Sequence, residues 1–207
     1  MSSEAGTHSH LFHRDDYGKK MGMWLFLFTE VLLFGGLFIV YAVYRFKNHD
    51  AFHEGSAELN MVVGAINTVI LLTSSLTVAL SITAVQLGNR KKAIDLIMIT
   101  IALAFAFLVN KYFEWYGKYE HGLFPGMEQF QQLSKGESQF FHLYFFMTGL
   151  HAIHVIVGGI FLLVIALGIK KGTVNQGNYI YLENAGLYWH LVDVIWIYLF
   201  PLFYLII

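Results

Sequence analysis

Five apolar stretches divide this chain, over about residues 20–44, 59–87, 94–115, 140–167 and 179–207. Each is long enough to cross a bilayer, whose hydrocarbon core of about 30 Å takes roughly 20 helical residues. Hydrocarbon offers no partner to a bare N–H or C=O, so segments of this length and continuity cross as α-helices. The separators are short, and helices joined this closely pack as neighbours. The expectation is an all-α fold: a 20–207 membrane domain of five transmembrane helices, preceded by a polar cytoplasmic tail over 1–19. Five spans and their connections leave no length for a separate soluble catalytic domain.

Composition closes several other routes. Hydrophobic residues make up 57% and charged residues 13% of the chain, with a mean hydropathy of +0.56. Soluble domains carry about 25% charge, so a water-soluble globule is excluded. No Cys is present, which removes disulfides, thiolate metal sites, iron–sulfur clusters, covalent haem attachment and a cysteine nucleophile together. The net charge of -1 leaves no basic surplus for nucleic acid. The tail holds His8, His10, His13, Glu4, Asp15 and Asp16 without the apolar core of a signal peptide.

Lys and Arg set the orientation. Arg14, Lys19, Lys20, Arg90, Lys91, Lys92, Lys170 and Lys171 fall on one side, against Arg45, Lys47, Lys111, Lys118 and Lys135 on the other. The positive-inside rule therefore places the N-terminus inside and the C-terminus, at Ile207, outside. Asp50, Glu54, Glu58, Glu120, Glu128 and Glu137 give the outer loops a negative field.

Ionisable groups at membrane depth are costly and mark candidate sites. Glu30 lies about 15 Å along the first span from Lys20, near the middle of the hydrocarbon. It reads either as a proton-relay or ion-coupling group or as a hydrogen-bonded staple between helices. His151 and His154, in GLHAIHV, stand three residues apart on one helical side, as do His190 and Asp193 in YWHLVDVIW. A carboxylate-bridged metal pair needs several Glu and Glu-x-x-His motifs, which are missing, so no metal is expected. The five residues fit a polar cluster joining the first, fourth and fifth spans, with either His154 or His190 within reach of Glu30. At the outer end of the third span, Lys111 and Glu114 in NKYFEW read as an interfacial ion pair within an aromatic belt. Asn67, Ser74 and Ser81, seven apart on the second span, form a packing stripe.

Taken in order, WLFLFTEVLLFGG, INTVILLTSS, KYFEW, TGLHAIHVIVGG and LENAGLYWHLVDVIW resemble subunit III of the haem-copper terminal oxidases, the cytochrome c oxidase subunit III family, from about residue 20 to 207. The chain looks like the five-span bacterial form, placed in the cytoplasmic membrane. The resemblance implies a non-catalytic subunit with no cofactor of its own beyond structural phospholipid. Haem and copper would lie in partner subunits I and II, subunit I being the main contact. It also implies that Glu30, partnered by His154, supports proton uptake rather than carrying an obligatory proton path. Within the same superfamily, a quinol oxidase subunit III or a nitric oxide reductase accessory subunit are alternatives. Outside it, a small proton or ion transporter would use the same carboxylate, and a membrane metalloprotein the same histidines.

Overall fold

The computed structural model describes residues 16–206 and consists of helices α1 (Asp16–Lys47), α2 (His49–Ala57), α3 (Met61–Gln86), α4 (Arg90–Glu120), α5 (Lys135–Lys171) and α6 (Ile180–Tyr204). A 3-10 turn over Gln129–Gln132 lies between α4 and α5. Among the described residues there is no strand, only an isolated bridge between Asn175 and Asn178. Five of the helices are long and apolar enough to cross a membrane: α1, α3, α4, α5 and α6. The tail expected over 1–19, with Arg14, lies outside the described residues as far as residue 15, and residues 16–19 already belong to α1. Ile207 also lies outside them.

The helices run past the apolar stretches at most ends, for a physical reason. Hydropathy marks only the part of a helix immersed in hydrocarbon, whereas capping decides where the helix stops. The 37 residues of α5 span about 55 Å, far more than an apolar core of about 30 Å. Its start is fixed by a capping box in which Ser134 Oγ accepts from the Glu137 N–H and Glu137 accepts from the Ser134 N–H. Its end is fixed by Gly172 in the left-handed conformation at φ 82°. Asn60 and Asn89 cap α3 and α4 in the same way as Ser134.

Helix α2 falls in the separator between the first and second apolar stretches. It forms because it has an apolar side to bury: Phe52 is fully enclosed, its ring 5.5 Å from Tyr41 and 5.4 Å from Phe140. Its Ser56 hydroxyl donates to the Phe203 carbonyl at 2.7 Å, and the Tyr41 hydroxyl of α1 donates to the Leu202 carbonyl. Those carbonyls belong to the last turn of α6, which has no helical N–H ahead to satisfy them. The end of α6 is thus held by two neighbouring helices.

Helices α3, α4, α5 and α6 close a ring in which each touches its two neighbours. The expected stripe on α3 lies inside it. Ser74 Oγ accepts from Trp189 Nε1 of α6 at 3.0 Å, Thr77 and Thr100 share a hydroxyl hydrogen bond of 2.7 Å, and Asn110 Nδ2 donates to Asn67 Oδ1 at 2.9 Å. Glycines bring the backbones close: Gly158 of α5 meets the Trp189 ring and Gly64 of α3 meets Phe200. Helix α1 stands outside this ring and leans on α5 and α6.

Candidate functional site

The polar residues singled out in the spans do not merge into one network. They separate into two sites and two isolated groups.

The first site joins α1 to α5. Glu30 Oε2 lies 2.8 Å from His154 Nε2, and the two side chains are 14% and 13% exposed. His154 Nδ1 lies 2.7 Å from the Leu150 carbonyl, which can only accept, so Nδ1 carries a proton and donates. One proton then remains for the Nε2···Oε2 contact. Either Glu30 is a neutral acid donating to a neutral imidazole, or imidazolium donates to carboxylate. Both arrangements are neutral overall, which is what a site at membrane depth requires. The Phe34 ring packs edge-on against His154 at 5.2 Å, and the Tyr188 ring lies 6.5 Å from it.

Of the two histidines within reach by sequence, His154 is therefore the partner of Glu30. His190 is turned toward α3, where its Nδ1 lies 2.6 Å from Ser75 Oγ. Asp193 was expected to buttress the Glu30 cluster. It is instead buried beside Ser75, whose hydroxyl is engaged by His190, and neither carboxyl oxygen makes a hydrogen bond of good geometry among the described residues. His151 is fully buried with both ring nitrogens unpartnered, held between the rings of Phe107 at 5.6 Å and Trp196 at 5.3 Å. Three residues of helix turn carry it about 60° round α5 from His154, enough to move it from the α1 side into the ring. Among the described residues no three His, Cys, Asp or Glu side chains converge.

The second site corrects the reading of Lys111 and Glu114 as an interfacial pair. The ion pair exists, with Nζ 3.2 Å from Oε2, but it is drawn into the bundle, the side chains being 4% and 6% exposed. The cause is their inward direction on α4, while Tyr112, Phe113 and Tyr116 point outward and supply the aromatic surface. Two residues that the sequence did not single out, Tyr144 of α5 and Tyr204 of α6, complete it. Lys111 Nζ donates to both hydroxyls at 2.9 Å, and both hydroxyls donate to Glu114 Oε1 at 2.5 Å. The ammonium has three protons and three acceptors here, and each hydroxyl accepts once and donates once. Five protons fill these five hydrogen bonds; in the ionic form Lys111 supplies three of them and the two tyrosines the other two. The rings of Tyr144, Trp196 and Tyr204 lie 4.8, 5.4 and 5.6 Å from Nζ and add cation–π attraction. The available signal was physical: a buried ion pair needs further hydrogen bonds, and tyrosine is the apolar-bodied residue that brings one into lipid.

Beyond the second site, Lys118 donates to the Glu58 carbonyl and lies 3.7 Å from the Glu58 carboxylate. A cleft of about 480 Å³ opens there between α3 and α4, with Asn110 and Glu114 on its wall. An apolar groove of about 390 Å³ between α1, α5 and α6 lies beside the first site, lined by Phe26, Phe161 and Tyr188 among others.

Comparison with known proteins adds a second line. A family model described as cytochrome c oxidase subunit III matches residues 1–206. Cytochrome c oxidase subunit 3 of Rhipicephalus sanguineus is 32% identical over 205 residues, covering 90% of this chain and 70% of that protein. The protein of the same name from Corynebacterium diphtheriae is 31% identical over 189 residues, covering 90% of this chain and 87% of its own length. Heme-copper oxidase subunit I+III of Aeropyrum pernix is 30% identical over 194 residues, which cover 90% of this chain and 22% of that longer protein.

Proposed function

This chain belongs to the cytochrome c oxidase subunit III family, and from that premise we propose that it is a non-catalytic subunit of a proton-pumping haem-copper oxygen reductase. It stabilises the catalytic subunit, holds lipid and supports proton uptake, while haem and copper are carried by subunits I and II. Its N-terminus faces the inside of a bacterial cytoplasmic membrane and its C-terminus the outside, as the distribution of Lys and Arg supports.

The observation that carries the reading is the Glu30–His154 pair. The two side chains meet at 2.8 Å at the edge of the bundle. A proton shifted between the two groups leaves the pair neutral, whereas one given up leaves a net negative charge, so holding or releasing it depends on the charge that a neighbouring subunit presents. A single pair is no continuous path across the membrane, which is why it modulates uptake rather than conducting. The Lys111–Glu114 site is enclosed within the ring and ties α4, α5 and α6 together through five hydrogen bonds, and it serves the fold. The Aeropyrum pernix relative, named as a fusion of subunits I and III, supports subunit I as the main contact.

Gentle detergent purification through this chain, followed by identification of co-purifying proteins and a reduced-minus-oxidised haem spectrum, tests the proposal. Recovery of a haem-bearing subunit I with the chain is the expected result. Recovery of the chain alone from membranes with intact oxidase activity would overturn it.

A further inference from the structure

Among the described residues no other Asp or Glu is as deeply buried as Asp193, which is 3% exposed and lies near the middle of α6, about 20 Å from Ile180. Neither of its carboxyl oxygens has a hydrogen-bond partner among the described residues. No cation is free to pair with it from the helices packed around it. Lys111 on α4 is taken up by Glu114, Tyr144 and Tyr204, and Lys118 by Glu58. On α1 Glu30 is engaged by His154, and on α5 His151 is enclosed between Phe107 and Trp196. Helix α3 carries no ionisable residue at all. A carboxylate without cation or donor is too costly at this depth, so the Asp193 carboxyl keeps its proton. A buried acid O–H must in turn donate, and the acceptor beside it is the Ser75 hydroxyl of α3.

Ser75 leads on to His190, three residues before Asp193 on the same side of α6. The two membrane histidines that have partners differ in what Nδ1 meets. For His154 it is the Leu150 carbonyl, which only accepts and so fixes the tautomer. For His190 it is Ser75 Oγ at 2.6 Å, a hydroxyl that both donates and accepts, so the tautomer is free to change. In one arrangement the Asp193 acid donates to Ser75 Oγ, Ser75 donates to His190 Nδ1, and the imidazole carries its proton on Nε2. In the other, Asp193 has given its proton to Ser75 Oγ while Ser75 has passed its own to Nδ1. Asp193 is then a carboxylate accepting from Ser75, and His190 an imidazolium. One O–H bond breaks at Asp193, one N–H bond forms at His190, the serine is unchanged, and the three residues stay neutral overall. His190 is only partly buried, so it is the end of this line nearer the surface of the bundle, and Asp193 is the enclosed end.

We infer that Asp193, Ser75 and His190 form a second proton-holding site, at the seam of α3 and α6, in which the serine hydroxyl connects an enclosed acid to a partly exposed imidazole. It shares no residue with the Glu30–His154 pair between α1 and α5, and it rests on this chain's own side chains whatever subunit lies alongside. Ser75 is the positioning residue, since it is the only link between the two titrating groups.

Infrared spectroscopy of the full chain in lipid tests the site. The wild type should show a protonated-carboxyl C=O band at neutral pH that is lost in Asp193→Asn and kept in Glu30→Gln. Isotope-labelled aspartate separates that band from the glutamates and identifies it even where the Asn variant fails to fold. On transfer to D2O the band should shift as the acid exchanges its proton. Ser75→Ala should move the band to higher frequency, because the acid loses its acceptor, and slow the exchange severalfold. Ser75→Thr, which keeps the hydroxyl, should restore both. Absence of any protonated aspartate band in the wild type would overturn the inference, because Asp193 would then be ionised. A band whose position and exchange are the same in Ser75→Ala would overturn it too, because the acid would then have no link through Ser75.

Discussion

Two acid–base pairs lie between the spanning helices, and they are built differently. Lys111 and Glu114 sit inside the four-helix ring with two tyrosines that accept from Lys111 and donate to Glu114. Glu30 and His154 sit between the ring and α1, more exposed, with one proton and two places for it. A fully satisfied network that ties three helices together in a low-dielectric interior resists change, so it specifies structure. A pair with fewer partners at the edge of the bundle responds to whatever lies next to it. The chemistry of each pair follows from the count of its partners more than from the identity of its acid.

The contrast can be broken most forcefully at the closed site. Lys111→Met leaves Glu114 as an unpaired buried carboxylate and should cost about 3–5 kcal/mol, seen as a large drop in thermal stability in detergent. Adding Glu114→Leu should recover most of that loss, because removing both charges spares their desolvation; failure to recover would mean that the pair itself drives folding. Tyr204→Phe removes one acceptor for Lys111 and one donor to Glu114 and should cost about 1–3 kcal/mol by the same assay. Glu30→Gln should cost less than about 1 kcal/mol, since the amide donates to His154 Nε2 as the protonated acid does. It keeps only one of the two proton arrangements, and an infrared difference spectrum should lose any carboxyl signal assigned to Glu30. Gly36→Leu in the isolated chain should stay within about 0.5 kcal/mol of wild type, because nothing in the chain fills that space.

Much of the bundle was legible in advance, since hydrophobic length decides which segments cross. Its limits appear at α2 and at the helix ends. In α2 a single buried Phe52 organises an otherwise polar segment, and at the ends Ser134, Asn60 and Asn89 outweigh hydropathy. The Glu30 contact was narrowed to two histidines by depth along the axis. Helix rotation then decided it, because His190 faces α3 and His154 faces α1. Lys111 and Glu114 were readable as a pair from their three-residue spacing, but not their burial. That depends on Tyr144 and Tyr204, distant in sequence and joined only when α5 and α6 close the ring. Asp193 and His151 were identified as polar at membrane depth, yet neither joins the pair at α1.

The most direct test is proton uptake by the assembled oxidase carrying Glu30→Gln, measured beside the same complex carrying Tyr204→Phe. The account predicts that the Glu30→Gln complex stays intact, continues to reduce oxygen with a modest change in turnover, and takes up protons more slowly. Tyr204→Phe should weaken the complex without slowing uptake per intact enzyme. Unchanged uptake in Glu30→Gln, or equal slowing by Tyr204→Phe, would contradict the division of roles between the two sites. Complete loss of oxygen reduction in an intact Glu30→Gln complex would contradict it as well, by making Glu30 an obligatory part of the proton path.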